Sequence, residues 1–150
     1  MVTVAVSGGF DPLHIGHIKL MEEAKALGDR LIVIINNDNW LKKKKGTPFM
    51  DEKERKAIIE AIRYVDEVII SNHPENPTDM SVSSDLEKLK PNIFANGGDR
   101  NEVDATNTES SLYKDTKTCE RLGIKIVYNV GKGGKIQSSS WLIKKAQEKK

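Results

Sequence analysis

Five short apolar runs recur along the chain, at Thr3–Val6, Leu31–Ile35, Glu67–Ile70, Asn92–Ala95 and Ile124–Val130. Most are nearly continuous β-branched stretches without polar alternation, the pattern of strands covered on both faces. Between them the period changes to that of a helix. Leu20, Ala24 and Leu27 fall at i, i+4 and i+7. Ala57, Ile58, Ala61, Ile62 and Val65 form a second apolar stripe, which Asp51 with Glu54 opens as a capping box. Shorter helical patterns follow at Asp85–Leu89 and Leu112–Leu122, and a last helix begins near Ser139. Strand and helix in strict alternation predict an α/β architecture, a Rossmann-like open parallel five-stranded sheet with helices on both faces. The polar stretch from Asp99 to Ser111 lacks periodicity and reads as a mobile loop.

A length of 150 residues is that of a single domain spanning 1–150. No apolar run approaches the roughly 20 residues of a membrane helix, and the start lacks a basic region ahead of an apolar one. A cytoplasmic protein without a membrane partner is therefore expected. Cys119 is the only cysteine, which excludes an intrachain disulfide. A formal net charge of +2 predicts no general affinity for nucleic acid, so anions must be bound by local clusters.

The strongest such cluster is GGFDPLHIGH, which begins at Gly8, directly after the first strand. Gly8 and Gly9 remove side chains where the backbone turns, so that peptide N–H groups approach an anion closely. A helix starting near Ile15 puts His14 and His17 on one face beside its N-terminus, where free N–H groups and the helix dipole already favour negative charge. Two imidazoles there donate hydrogen bonds to phosphate oxygens, more strongly as charge builds in a transition state. A structural zinc site would require four ligands, and only Cys119 and His73 remain as soft partners. An inert histidine pair at a helix start is the other reading, against which the glycines and the preceding strand argue.

The segment SGGFDPLHIGHIKL, with HIGH inside it, resembles the signature of the HxGH nucleotidyltransferase superfamily. That superfamily includes the cytidylyltransferases, the small adenylyltransferases and the much longer class I aminoacyl-tRNA synthetases, whose lysine-rich second signature is missing here. ALGDRLIVIINND and ERKAIIEAIRYVDEVI resemble the glycerol-3-phosphate cytidylyltransferases. FANGGDR is similar to the adenylyltransferase part of the heptose-phosphate enzymes. The likeness runs through Ile70 and returns near Gly97 and Ser138.

The resemblance implies transfer of a nucleoside monophosphate, CMP by preference, from a triphosphate to a phosphorylated sugar, polyol or similar small acceptor. AMP transfer from ATP is the alternative, and a nucleotide-binding protein without turnover a further one. It implies catalytic roles for His14, His17 and one lysine of Lys42–Lys45, with Lys44 aligning best, in a loop between the second strand and second helix. Read without the resemblance, that run is a solvated charge cluster or a basic nucleic-acid patch. Nucleotide contacts are implied for Gly8, Gly9, Phe10, Gly97, Asp99 and the helix-opening serines Ser138, Ser139 and Ser140. Asp11, Arg55, Arg63 and Lys135 are candidate phosphate or acceptor contacts. Mg2+ is expected to be held mainly by the nucleotide, with Asp99 as a possible ligand, and a homodimer is implied. The stretch SNHPENPTDMSVSSD contains no lysine where the glycerol-phosphate enzymes carry one, so a different acceptor is expected.

Overall fold

Val4 and Val6 on one side of the first strand, and Ala5 on the other, are sealed from solvent. The computed structural model describes residues 1–97 and 111–131. In chain order these form β1 (Thr3–Gly8), α1 (Ile15–Ala26), β2 (Arg30–Ile35), α2 (Asp38–Lys45) and α3 (Glu52–Glu60). There follow β3 (Glu67–Ile70), α4 (Ser83–Leu89), β4 (Ile93–Gly97), α5 (Ser111–Leu122) and β5 (Lys125–Val130). All strand pairs are parallel, in the order β3-β2-β1-β4-β5. The sheet is the Rossmann-like one expected from the sequence.

The apolar runs lack alternation because both sheet faces are covered. Val4, Val6, Leu31, Val33, Ile35 and Ala95 pack with Met21 and Ala24 of α1 and Ile59 of α3. Ala5, Ile34 and Phe94 face the other way, onto Leu86 of α4 and Cys119 of α5. Fully burying each larger aliphatic side chain stabilises the fold by about 1.5–3 kcal/mol, which makes β2 with its sealed Leu31–Ile35 run the keel of the sheet. From β1 the chain moves outward to β2 and β3, then crosses to β4 on the other side of β1. The strand order thus reverses at β1 and β4, and a crevice opens beyond their carboxyl ends.

Two local expectations are corrected. Lys42–Lys45 are not in a loop but form the last turn of α2. Asn37 caps that helix, its Oδ1 accepting the Trp40 N–H at 3.0 Å. Asp38 in the first turn and the lysines in the last complement the helix dipole, and Gly46, at φ 92°, ends the helix. The second correction concerns α3, whose inward residues are Arg55 and Ile59; Ile62 and Val65 of the expected stripe pack on the core from the segment after it, while Ala57, Ile58 and Ala61 are exposed. The polar residue at position 55 disguised that stripe, because a buried arginine does not register in an apolar pattern.

Asp99 and the stretch after it up to Ser110, Lys135, Ser138, Ser139, Ser140 and the last helix lie outside the described residues. Among the described residues no helix is long and apolar enough to cross a membrane.

Candidate active site

β1 delivers the chain to the crevice, and the residues after it fold on themselves. Phe10 sits at φ 51°, a left-handed conformation uncommon for a bulky residue, with its ring buried. A Cβ on Gly8 would lie 2.9 Å from the Phe10 ring, and one on Gly9 would lie 3.1 Å from Leu41 of α2. Gly8 is therefore required by the Phe10 ring packed onto the turn, and a side chain at Gly9 would have to push Leu41 back by a few tenths of an ångström, reasons distinct from the anion approach expected of them.

Phe10 in turn meets His17 edge-on, with ring centroids 4.9 Å apart. His17 stacks on His14 at 3.8 Å and 23° between planes. The pair caps α1 reciprocally. His14, extended at φ −147°, is the N-cap, and its Nδ1 accepts the Gly16 N–H at 3.1 Å. His17 Nδ1 accepts the His14 N–H at 3.2 Å. Histidine replaces the usual Ser and Glu of a capping box, and the consequence is chemical. Because each Nδ1 is an acceptor, each neutral ring carries its proton on Nε2. The two rings thus stack beside the N-terminus of α1, just past the carboxyl end of β1. Capping, the inert-pair reading, accounts for the Nδ1 atom of each ring.

Burial, and secondarily the neighbouring His14, push the His17 pKa down to about 3. His17 is therefore a neutral donor at physiological pH. Between that value and the ordinary 6.5, the unfolded chain binds a proton that folded His17 refuses, so stability rises with pH across this window. The wild-type urea midpoint is expected to fall as pH drops from 6.5 to 4.5, and His17→Asn to remove much of that fall. Asp85, whose carboxyl burial pushes upward, acts in the opposite sense but is common to both proteins. An identical pH slope in the variant would contradict the assignment.

The remaining predicted residues divide by position. Gly97 ends β4 at the crevice, beside β5 at Val130. Asp11 is 2% exposed, and its carboxylate accepts the Phe49 and Met50 N–H groups, each at 2.6 Å. Lys45 Nζ adds an ion pair to it at 2.8 Å and a bond to the Asp11 carbonyl at 2.6 Å. Asp11 therefore braces the turn and does not present its carboxylate to a phosphate. Arg55 is likewise reassigned from ligand contact to frame. Its side chain is fully buried and donates to the carbonyls of Gly9 (2.7 Å), Asn36 (2.6 Å) and Met50 (3.0 Å) and to Asp38 Oδ1 (2.8 Å). Arg63 is exposed in the turn entering β3, at the amino edge of a parallel sheet and so opposite the crevice. It is not a phosphate contact of its own chain's site.

Lys44 Nζ lies 5.8 Å from the centre of the Trp40 ring, and Trp40 itself lines the space above Gly9. Trp40 Nε1 donates to the Met80 carbonyl at 2.9 Å, tying α2 to the segment ahead of α4. Asn37, Asp38 and Trp40 were missed as framing residues; the Asn37–Trp40 spacing after a strand was an available N-cap signal. His73 and Cys119, the leftover soft ligands, are both buried. His73 Nε2 donates to the Ser81 carbonyl at 2.9 Å while its Nδ1 accepts from Ser71 Oγ at 2.7 Å. Burial, and secondarily the Asp115 charge, push the Cys119 thiol up to about 12, far from reactive. The described residues contain no group of three His, Cys, Asp or Glu able to hold a metal.

The family model described as cytidylyltransferase-like matches residues 5–144. The FAD synthase of Pyrococcus abyssi is 44% identical over 100 residues, covering 66% of this chain and 64% of that protein, so less than two thirds of its length is matched. The FAD synthase of Thermoplasma volcanium is 32% identical over 150 residues, covering 99% of this chain and 96% of that protein. Among solved structures, the lipopolysaccharide core biosynthesis protein from Thermoplasma volcanium GSS1 superposes with a TM-score of 0.68 at 30% identity, covering 87% of this chain and 98% of the other.

Proposed function

The chain belongs to the cytidylyltransferase-like family, and on that premise we propose that it is a nucleotidyltransferase that joins AMP from MgATP to the phosphate of a small phosphomonoester, FMN being the first candidate. The observation that carries this reading is the stacked His14–His17 pair, with both Nδ1 atoms spent on the α1 cap. The relatives named FAD synthase favour ATP over the CTP expected from the Arg55–Ile69 segment. FAD is FMN joined through its own phosphate to AMP, so the chemistry is the one expected from the motif, with a different base and acceptor.

In the proposed step an acceptor phosphate oxygen attacks the α-phosphorus, a new P–O bond forms, and the bond to the β-phosphate breaks. Pyrophosphate leaves with the electron pair. The nucleophile is already anionic, so no side chain has to remove a proton. Catalysis then rests on positioning and on donors to the charge that builds on phosphate oxygens. His14 and His17 fill that role at the α-phosphate, with the N-terminus of α1 behind them. Lys44, at the end of α2, serves the leaving pyrophosphate. Ser138, Ser139, Ser140, Lys135 and Asp99 keep the phosphate and ribose roles the resemblance implies. Mg2+ supplies charge neutralisation across the phosphates. A homodimer belongs to the same proposal and is tested by light scattering.

The deciding experiment measures pyrophosphate release with ATP or CTP, each paired with FMN and with a set of sugar and polyol phosphates, and identifies the product by chromatography. Release with ATP and FMN, yielding FAD, is the expected result. Release from CTP with a sugar phosphate alone would overturn the choice of substrates, and no release from any pair would overturn catalysis.

A further inference from the structure

Two buried carboxamides, at the carboxyl ends of the strands on either side of β1, each hold an atom with nothing to bond. Asn36 directly follows β2, and Asn96 is the penultimate residue of β4. Each is 5% exposed, yet Asn36 Oδ1 and Asn96 Nδ2 are sealed from solvent without a hydrogen-bond partner among the described residues. A buried polar group left unpaired costs free energy, and most such groups in folded proteins find a partner. Here one acceptor and one donor stand orphaned at the same end of one sheet.

Their faces follow from the strand period of two. Ile34 and Phe94 belong to the cluster on the α4 and α5 side of the sheet, so Asn36 and Asn96, each two residues on, turn to that side. The Asn36 N–H donates to the Gly8 carbonyl at 2.9 Å, which extends the parallel β1–β2 ladder into the opening motif. β4 pairs with β1 at Val4–Ile93 and Ala5–Phe94, and that register continued by two residues sets Asn96 beside Ser7. On its other side the pairing breaks at Asn96: while β4 passes from Ala95 to Gly97, β5 runs from Val127 to Val130. Such irregularities commonly re-aim a side chain or end pairing next to a functional site. β1 therefore carries the motif up between the two asparagines, and α1 lies on the opposite face with Phe10, which meets His17. Two strand spacings, roughly 10 Å, separate the flanking backbones.

From this placement we infer that Asn36 and Asn96 form the subsite for the uncharged, hydrogen-bonding part of the acceptor. The inference rests on the reading of the protein as a nucleotidyltransferase with two substrates. A carboxamide has no charge to offer a phosphate, but it pairs both ways with hydroxyls and with the amide-like edge of a ring. One orphan accepts and the other donates, which matches a group that both gives and takes a hydrogen bond. Position favours the acceptor over the nucleotide. The histidine pair and the α1 N-terminus, which hold the α-phosphate in the proposed step, lie on one face of β1 and the asparagines on the other. Attacking and leaving oxygens stand roughly in line at the phosphorus, so the acceptor approaches from ground that the triphosphate does not occupy. An acceptor held by the two amides passes its phosphate over the carboxyl end of β1 toward the histidines. The hydroxyls of a polyol chain and the imide edge of a flavin ring share the chemistry read here.

The test replaces each carboxamide by an apolar group of similar size, Asn36→Leu and Asn96→Leu, with alanine at each position as the second variant in case the branched side chain disturbs packing. Removing an orphaned polar atom spares the unliganded protein its cost, so the melting temperature is expected to stay level or rise. In the same variants KM for the acceptor is expected to rise about tenfold, with KM for ATP unchanged within about twofold. FMN and ribitol phosphate serve as separate arms, and the thermal stabilisation each confers reports binding without turnover. Weakening of both places the hydroxyls of the chain at the amides, and weakening of FMN alone places the ring edge there. Folded variants with unchanged acceptor KM and unchanged stabilisation would overturn the subsite while leaving the proposed function standing. A rise confined to KM for ATP would overturn it by assigning the amides to the nucleotide. A lowered melting temperature with equal rises in both KM values would overturn it by showing a structural role. A wild type that neither transfers to nor is stabilised by any acceptor would overturn both readings.

Discussion

Alanine at His14 or His17 is expected to lower kcat by about 10² or more, the usual cost of removing one donor aimed at developing charge. The two positions differ in what else they lose. His14 is the N-cap of α1, so His14→Ala also forfeits about 1 kcal/mol of stability. His14→Asn separates these effects, since its side-chain oxygen still accepts the Gly16 N–H but no imidazole Nε2–H remains. Its melting temperature is expected near that of the wild type, with turnover as low as in the alanine variant. His17→Ala additionally removes a ring packed between His14 and Phe10. Single-turnover assays with saturating ATP and acceptor, alongside thermal melts, measure both quantities. Turnover near the wild-type level in a folded His14→Asn variant would mean the rings only cap the helix.

The second large effect is on stability. Arg55→Met is expected to destabilise the protein by about 3–5 kcal/mol, the range for breaking a buried ion pair and leaving its partners unpaired. Four groups lose a donor at once: the carbonyls of Gly9, Asn36 and Met50, and the Asp38 carboxylate. Gly9 belongs to the turn after β1 and Asp38 to the first turn of α2, so the crevice loosens as the fold weakens. Urea unfolding monitored by circular dichroism gives the number. A variant of native stability that has lost only ATP affinity would return Arg55 to the role of phosphate contact.

The opening motif was readable because its parts are local. A strand, two glycines, a turn and two histidines three apart all lie within fifteen residues, from Thr3 to His17, and their geometry follows from that spacing. Helix α2 was less readable, since four consecutive lysines have no apolar period. It is seen only once Asn37 is recognised as a cap and Leu41 as its single buried residue. Arg55 was misread for a related reason. An arginine on a polar helix ordinarily faces water, and nothing adjacent in sequence discloses three carbonyls and a carboxylate waiting inside.

What the sequence determined alone was whatever short-range pattern encodes: the alternation of strands and helices, two-sided burial of the strands, and a glycine turn leading to a histidine-capped helix after the first of them. The tertiary structure decided which cations point inward, which helix face is covered, and which segments meet at the crevice. Those outcomes depend on partners such as Gly9 and Asn36, 46 and 19 positions from Arg55, and a periodicity only a few residues long carries no information about contacts at that separation.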